Sequence, residues 1–462
     1  MEKKYIVIIA VVAVVIVVAA AAVFMMGGEK KVYHDASVFD GRLPIFGNAN
    51  NDDYIDDSDV DLIQDIIDGK KKATYVTVKN DFTEGKEIQR SLADANADGK
   101  IDSADLELVK KMVKREAGIK VNYINVDNVL STCNFPLTTM AVAYKSHYEL
   151  VAAAGITTEV TYVCDMVGYS GGKYGDYSQW YPQYKDAKCF GNRATPDYEV
   201  FTDNPPSCFI TGTKTSYAKT AEENLNKLGV DIVRLPAYEN GWAVPAMLML
   251  GFLTGHEDTA SKYVEKADYV YNTIEAHVKD IPMSQRPYVF IHHNATQVSK
   301  YGSGVIETAV LAGASTPIDR GFPAGKVDAE AVALTMNPEW IVLEPWHGVL
   351  ETTDGSVDAT FAWDLDNLYN KDKAGIQAID HTQAYKDGKV LMFTQGVRFG
   401  PSSYIATAYI ANHIYPGVFN FDVEGLFDDY MKSYHPEVNA KEWFEYTYFD
   451  LEFAEKHHNA SA

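Results

Sequence analysis

Basic residues are scarce in this chain of 462 residues: Lys and Arg number 41 against 64 Asp and Glu, a formal charge of −23. A nucleic-acid partner needs a cationic footprint for its phosphates, so no nucleic acid is expected among the partners. Cysteine is scarcer still. Cys133, Cys164, Cys189 and Cys208 match no zinc-site spacing, and none lies near the N-terminus to carry a lipid. In an exported chain one or two disulfides among them are expected. P-loop and H-E-x-x-H patterns are also missing, which removes two common hydrolase classes. Hydrophobic residues at 47% and charged residues at 23% are ordinary globular proportions, against both extensive disorder and a polytopic membrane protein.

Charge is missing altogether from Tyr5 to Met26, a run of mostly Val, Ile and Ala behind Lys3 and Lys4. A helix rising about 1.5 Å per residue needs roughly 20 apolar residues to cross a bilayer, and the two lysines favour a cytoplasmic start. Residues 1–28 are therefore expected to be a transmembrane anchor or a signal sequence. The anchor reading places the chain in the cell membrane as a single-pass protein with its bulk on the extracellular side.

The next segment is rich in oxygen-bearing side chains. Asp94, Asn96, Asp98, Asp102 and Asp105 fall at positions 1, 3, 5, 9 and 12 of one loop, Gly99 permits the sharp turn at position 6, and Lys100 offers its carbonyl at position 7. Calcium takes about 6–8 oxygens in such a cage. Asn48, Asn50, Asp52, Tyr54, Asp56 and Asp59 repeat the register. In that copy Asp53 stands where Gly is expected, so it should adopt a left-handed backbone. An amphipathic helix trails each loop, through Leu62, Ile63, Ile66 and Ile67 and then through Leu106, Val109, Met112 and Val113. One or two Ca2+ ions are expected; the plain alternative is an acidic, solvated loop without metal. With Asp at position 12 and a helix only on the C-terminal side, residues 44–118 resemble a pair of type I dockerin repeats. The resemblance implies a small all-α module that docks a cohesin-like partner through positions 10 and 11, here Asp57, Ser58, Ser103 and Ala104. An insertion around Tyr75 to Glu87 departs from that pattern.

Beyond residue 122 short β-rich runs alternate with helical stretches. Strands are predicted at Val121–Val126, Val160–Cys164, Cys208–Thr211 and Asp231–Leu235, with helices near 139–154 and 217–228. Tyr263, Val264, Ala267, Val270, Tyr271, Ile274 and Val278 then recur at helical spacing within one long helix, 258–281. A second series follows, with strands at Tyr288–Ile291, Trp340–Leu343 and Lys389–Phe393 and helices near 328–336 and 402–414. The prediction is an α/β fold: two Rossmann-like lobes, 122–257 and 286–455, joined by that helix.

Four segments in this order resemble class III solute-binding proteins of ABC importers, which serve ferric siderophores, haem and cobalamin. They are Tyr198-Glu199-Val200 ahead of Pro206-Ser207-Cys208-Phe209-Ile210, Val327-Asp328-Ala329-Glu330 ahead of Asn337-Pro338-Glu339-Trp340-Ile341-Val342, Ala384-Tyr385-Lys386-Asp387-Gly388-Lys389-Val390, and His413 to Phe419. The resemblance implies no catalysis, a metal-chelate ligand, an ABC permease as partner, and one docking glutamate per lobe, Glu199 and Glu330. Ligand contacts are expected from Tyr169, Trp180, Arg193 and Trp242 in the first lobe. In the second they are expected from His292, His293, Arg320, Trp346, His347 and Arg398. Aromatic rings stack on flat chelates, guanidinium pairs with carboxylates and imidazole ligates metal. Two rival functions are a polysaccharide-active enzyme carrying a dockerin, which would need paired carboxylates, and a surface scaffold using Tyr169 to Tyr184 as an interaction face.

Overall fold

The computed structural model describes residues 41–165, 180–292, 297–300, 303–343, 361–362, 365–366, 368–369, 376, 379–393 and 400–461. The first helix, α1 (Asp57–Ile67), starts at Asp56, whose side chain caps the amide of Ser58 while Asp59 returns the bond to Asp56. Helix α2 (Ser103–Val113) starts identically from Asp102 and Asp105. Each reciprocal box satisfies amides that a helix start leaves open. Between the two lies an antiparallel hairpin, β1 (Val76–Lys79) and β2 (Glu87–Arg90). The module is therefore not all-α, and the insertion around Tyr75 to Glu87 is that hairpin. Asp81 shapes its turn by accepting the amides of Thr83 and Glu84, both at 2.7 Å.

A second hairpin, β3 (Ile119–Ile124) and β4 (Leu130–Phe135), leads into the first lobe. The predicted strand at Val121 thus belongs to an antiparallel pair outside the lobe's parallel sheet. That sheet has the order β7-β6-β5-β8-β9, from β5 (Met140–Val142), β6 (Val160–Val163), β7 (Lys188–Cys189), β8 (Cys208–Thr211) and β9 (Asp231–Arg234), all parallel. Helix α3 (Lys145–Ala153) follows β5 directly. The central strand β5 falls inside the helix predicted for 139–154, because three apolar residues buried on both faces carry no alternation by which to see them.

Helix α4 (Ala243–Thr254) is buried along nearly its whole length, and α5 (Glu257–Val278) runs between the lobes. The 22 residues of α5 span about 33 Å at about 1.5 Å each. Ala260, Tyr263, Val264, Ala267, Val270, Tyr271, Ile274 and Val278 form its buried stripe. The second lobe has a four-stranded sheet of order β10-β13-β14-β15. Its parallel strands are β10 (Val289–His292), β13 (Trp340–Leu343) and β14 (Val390–Phe393), with β15 (Tyr448–Asp450) antiparallel at the edge. The two-residue pair β11 (Gln297–Val298) and β12 (Gly325–Lys326) stands apart. Helices α6 (Gly304–Leu311), α7 (Ser403–Ile414), α8 (Val423–Tyr434), α9 (Ala440–Thr447) and α10 (Leu451–Ser461) surround the sheet.

Two expectations are corrected. No disulfide joins Cys133, Cys164, Cys189 or Cys208: the side chains of Cys133 and Cys208 are buried on β4 and β8, and the Cys164 sulfur accepts the Tyr148 hydroxyl at 3.0 Å. The single-pass membrane placement is not supported either. Among the described residues no helix is long and apolar enough to cross a membrane; α4, the most apolar, has 12 residues and spans about 18 Å. Residues 5–26, which carried that reading, lie outside the described residues.

Close packing of α4 on α5 depends on Gly251, where an added Cβ would come 2.7 Å from the Cβ of Ala260. Alanine would gain up to about 1 kcal/mol of helix propensity, but the clash sits between two backbones that cannot swing aside. Gly251→Ala is expected to lower stability by about 1–3 kcal/mol, read as a lower urea midpoint with an unchanged slope.

Candidate functional site

In the first sheet the chain moves from β5 outward to β6 and β7, then crosses back to β8 and on to β9. Strand order therefore reverses between β5 and β8, and in such sheets a crevice opens beyond the strand C-termini at that point. Four side chains meet there. Tyr144 follows β5, Arg193 follows β7, Tyr217 lies beyond β8 and Tyr238 beyond β9. The Arg193 guanidinium carbon stands 4.7 Å from the centre of the Tyr144 ring and 5.8 Å from that of Tyr217. Ring centres of Tyr144 lie 5.3 Å from Tyr217 and 5.7 Å from Tyr238, and the Tyr238 hydroxyl donates to that of Tyr144 at 3.0 Å. Burial pushes the Tyr217 phenol far above its ordinary range, so it stays protonated. The cluster thus gathers hydroxyls, ring faces and one cation, with Tyr144 and Tyr217 buried and Arg193 and Tyr238 half-buried at its edge, a set of groups suited to an anionic, partly aromatic ligand.

His147, one turn into α3, packs edge-on to Tyr144 and Tyr217. Burial lowers its pKa to about 4, leaving it neutral. Its Nε2 faces the Leu235 carbonyl at 3.3 Å, and its Nδ1 has no hydrogen-bond partner among the described residues. Glu239, largely enclosed, accepts the amides of Ala237 and Tyr238, both at 3.0 Å, and burial raises its pKa.

This edge of the first lobe faces the second. Asn240 donates to Thr308 Oγ1 of α6 at 2.9 Å, the Gly241 amide donates to Glu307 at 3.3 Å, and Gly400, just past β14, lies against Ser146 of α3. A second tie crosses nearby: His435, after α8, meets Glu149 of α3 at 2.8 Å, while its Nδ1 lies 2.8 Å from the Trp180 carbonyl and Tyr430 donates to the same Glu149 oxygen.

The predicted ligand residues divide sharply. Arg193 lies in the cluster. Trp180 instead packs edge-on to Trp443 and His435, bracing the lobes. Trp242 is buried in a core with Phe46, Val78, Leu92 and Ile124, and Arg320 lies over Tyr288 at the N-terminal end of β10, away from the crevice. His292 ends β10 opposite Leu343. Tyr169, His293, Trp346, His347 and Arg398 lie outside the described residues, although β10, β13 and β14 lead directly into 293–296, 344–350 and 394–399. So does Gly168-Tyr169-Ser170-Gly171-Gly172, a match to the bare G-x-S-x-G pattern of acyl-transfer nucleophiles. Glu199 and Glu330 are both exposed, each in the first turn of a short helix. Tyr144, Tyr217 and Tyr238 were not singled out from the sequence; their position just past parallel strands was the available signal.

In the second acidic loop, Asp94 accepts the amides of Asp98 and Gly99 at 3.0 and 2.8 Å, Asn96 that of Asp98, Asp98 that of Lys100, and Asp105 those of Asn96 and Asp102. Asp94 and Asp105 are buried; burial, then repulsion from Asp105 and Asp98, pushes Asp94 up. Among the described residues no three Asp, Glu, His or Cys side chains converge as a ready metal-ligand group. A cation here would rely on amide and carbonyl oxygens as well.

The first loop repeats these bonds through Asn48, Asn50, Asp52 and Asp59, and Asn51 takes the left-handed backbone (φ 56°) that Ala97 takes in the second (φ 59°). Asp53 does not become left-handed as expected. It turns to Arg42, which bonds both its oxygens and both oxygens of Asp268 on α5. The Asn50 amide also donates to Asp52 and Ser58, so this loop is cross-linked internally.

No protein-family model matches the sequence, and no curated protein matches it. Solved structures similar to this chain include an ABC transporter solute binding protein from Sulfurospirillum deleyianum, at 15% identity and a TM-score of 0.50, over 70% of this chain and 97% of that one. The TroA-like periplasmic binding protein FepB of Veillonella parvula aligns at 14% identity and 0.50, over 68% and 95%. A periplasmic solute binding protein of Veillonella parvula aligns at 13% and 0.50, over 70% and 95%. The chain shares their two-lobed fold.

The Glu149–His435 pair has a signed pH dependence. Opposing burial, the His435 charge and the hydrogen bonds it receives hold Glu149 below its usual 4.5, while Glu149 and the Trp180 carbonyl hold His435 above 6.5. Glu149 therefore stabilises fully above 4.5 and loses its contribution as pH falls through its lowered pKa; His435 stabilises fully below 6.5 and loses its contribution as pH rises through its raised pKa. His435→Gln is expected to cost about 3–5 kcal/mol, with the largest difference from wild type in urea unfolding between pH 4.5 and 6.5. A difference independent of pH would refute the charged pair.

Proposed function

We propose that this protein is the solute-binding component of an ABC importer, taking an anionic metal chelate of the ferric siderophore, haem or cobalamin kind between its lobes. The observation that carries the proposal is the Tyr144–Tyr217–Tyr238–Arg193 cluster, placed where the strand order reverses and facing the second lobe. The shared fold supports the reading, since the neighbours are described as solute-binding proteins. On this reading Arg193 pairs with carboxylate or phenolate oxygens of the chelate while the tyrosines stack and donate. The chemistry is capture without bond breaking. His292, His293, Trp346, His347 and Arg398 are the proposed contacts from the second lobe.

Glu199 and Glu330 are the proposed permease contacts, one per lobe, and both are exposed as docking requires. Charge reversal of either should reduce uptake in cells while leaving chelate affinity unchanged; unaltered uptake would remove the assignment.

For residues 44–118 the proposed cation is Ca2+ in the second loop, held by Asp94, Asn96, Asp98, Asp102, Asp105 and the Lys100 carbonyl. Its buried, mutually repelling carboxylates are what a divalent ion would relieve. Docking to a cohesin-like partner is the second reading, favoured by the exposure of Asp57, Ser58, Ser103 and Ala104. Calcium should raise the melting temperature of the full chain, and Asp94→Asn with Asp98→Asn should abolish that rise.

The deciding experiment titrates the full chain with haemin, a ferric tris-catecholate and cyanocobalamin, following tryptophan fluorescence and melting temperature. One saturating response is expected. Arg193→Ala should weaken it by about 1.5–3 kcal/mol, the scale of a lost charge-assisted hydrogen bond. No response to any of the three would overturn the chelate reading.

A further inference from the structure

Arg234, at the end of β9, is a buried cation with 1% of its surface exposed. Burying a guanidinium is costly unless its donors are satisfied. Here Nε meets Glu222 at 2.8 Å, Nη1 donates to the carbonyls of Gly212 and Tyr217 at 2.7 and 3.1 Å, and Nη2 donates to that of Ala218 at 3.2 Å. Three of those partners belong to one loop, 212–218, the loop that carries Tyr217 into the candidate site. Its backbone is strained at Ala218, whose φ of +40° is unusual for a residue with a side chain. It also has no slack at Gly212, where an added Cβ would come 2.5 Å from the Tyr217 ring. Such a loop keeps its shape only if something outside it holds that shape.

Two groups from the N-terminal segment do so. Phe82, in the turn of the β1–β2 hairpin, puts its ring 4.6 Å from Lys214 Nζ and 5.7 Å from the Arg234 guanidinium carbon, capping both cations. Asp127, in the β3–β4 turn, accepts the Lys214 amide at 2.9 Å. The two turns are themselves locked together: the Lys79 amide donates to the Asn128 carbonyl at 2.8 Å, and Asn128 donates back to the Thr77 carbonyl at 3.3 Å. Glu222 closes the group by pairing with Lys214 as well as Arg234.

We propose that Phe82 and Asp127 are positioning residues for the 212–218 loop, so that the joined turns of the β1–β2 and β3–β4 hairpins are a built-in brace of the ligand site. The brace is a property of the fold; its effect on affinity rests on the chelate reading. Neither residue touches the tyrosine cluster. Phe82 acts through Lys214 and Arg234, and Asp127 through the Lys214 amide, on the loop that positions Tyr217.

The test is hydrogen exchange on the full chain, followed by mass spectrometry of peptides covering 212–218. Phe82→Ala should speed exchange there by roughly five- to thirtyfold, the equivalent of losing one or two cation–π contacts, while β6 and β13 keep their protection. Phe82→Tyr, which retains the ring, should exchange as wild type does. Should Phe82→Ala unfold generally, Asp127→Asn decides, because it weakens the acceptor of the Lys214 amide without altering the hairpin. Unchanged exchange at 212–218 in Asp127→Asn and in a folded Phe82→Ala overturns the brace, and so does acceleration spread evenly over both lobes. A matching loss of affinity is then expected for whichever of haemin, ferric tris-catecholate or cyanocobalamin binds the wild type. If none binds, the chelate reading has failed while the exchange result still decides the brace.

Discussion

Helix α5 is amphipathic, and although Lys262, Glu265, Tyr269 and Asn272 are exposed to water, both of its faces make contacts that hold the fold. Its apolar stripe is buried among the two lobes and α4, and its polar side is engaged by the N-terminal segment: Arg42 bonds Asp268, Tyr54 bonds Ser261 at 2.6 Å, and Arg115 pairs with Glu257. In a folded protein a helix draws most of its stability from the packing of its amphipathic face rather than from its own propensity. Here the packing comes from three directions, so the helix becomes the common wall on which both sheets and the loop–helix repeats are mounted. The position of the candidate site follows from that wall, because it fixes which edges of the two sheets meet.

Arginine makes the joints. Arg42, Arg115 and Arg234 each lie where the N-terminal segment meets the lobe or helix behind it. Arg42 bridges two carboxylates; Arg115 lies over the rings of Phe135 and Phe252 and donates to the Phe252 carbonyl at 2.8 Å; Arg234 gathers a whole loop. A planar five-donor group suits such work, since one side chain can satisfy several acceptors in fixed directions. The repeats at 48–59 and 94–105 therefore sit within a continuous core with the first lobe, Ile45, Ile63 and Val109 joining Val121 and Tyr123.

The sequence is legible where its pattern is long. The stripe of α5 needs six turns of consistent spacing, and its residues are those buried. The two acidic loops were visible in register, whereas the reciprocal caps that Asp56 with Asp59 and Asp102 with Asp105 form at the helix starts emerged only in the structure. Short or context-dependent features were not. Strand β5 is three residues long, and the turn of Asp53 toward Arg42 depends on a helix more than two hundred residues away. Trp180 and Trp242 attracted attention as aromatics, yet one braces the lobes and the other fills a core, because a large ring serves burial as readily as recognition. Tyr144, Tyr217 and Tyr238 lie far apart in the chain and converge only through the strand order 7-6-5-8-9.

The ties across the lobes have a consequence for recognition. Helix α5, the Asn240–Thr308 bond and the Glu149–His435 pair connect the same two bodies at separate places. Two bodies tied by several separate contacts move less freely than two bodies joined by a single linker. Under the function proposed above, selectivity is set by the gap between the two tied lobes and its tuning lies in the loops at the rim; substituting a rim residue changes which solute fits without altering how the lobes are joined.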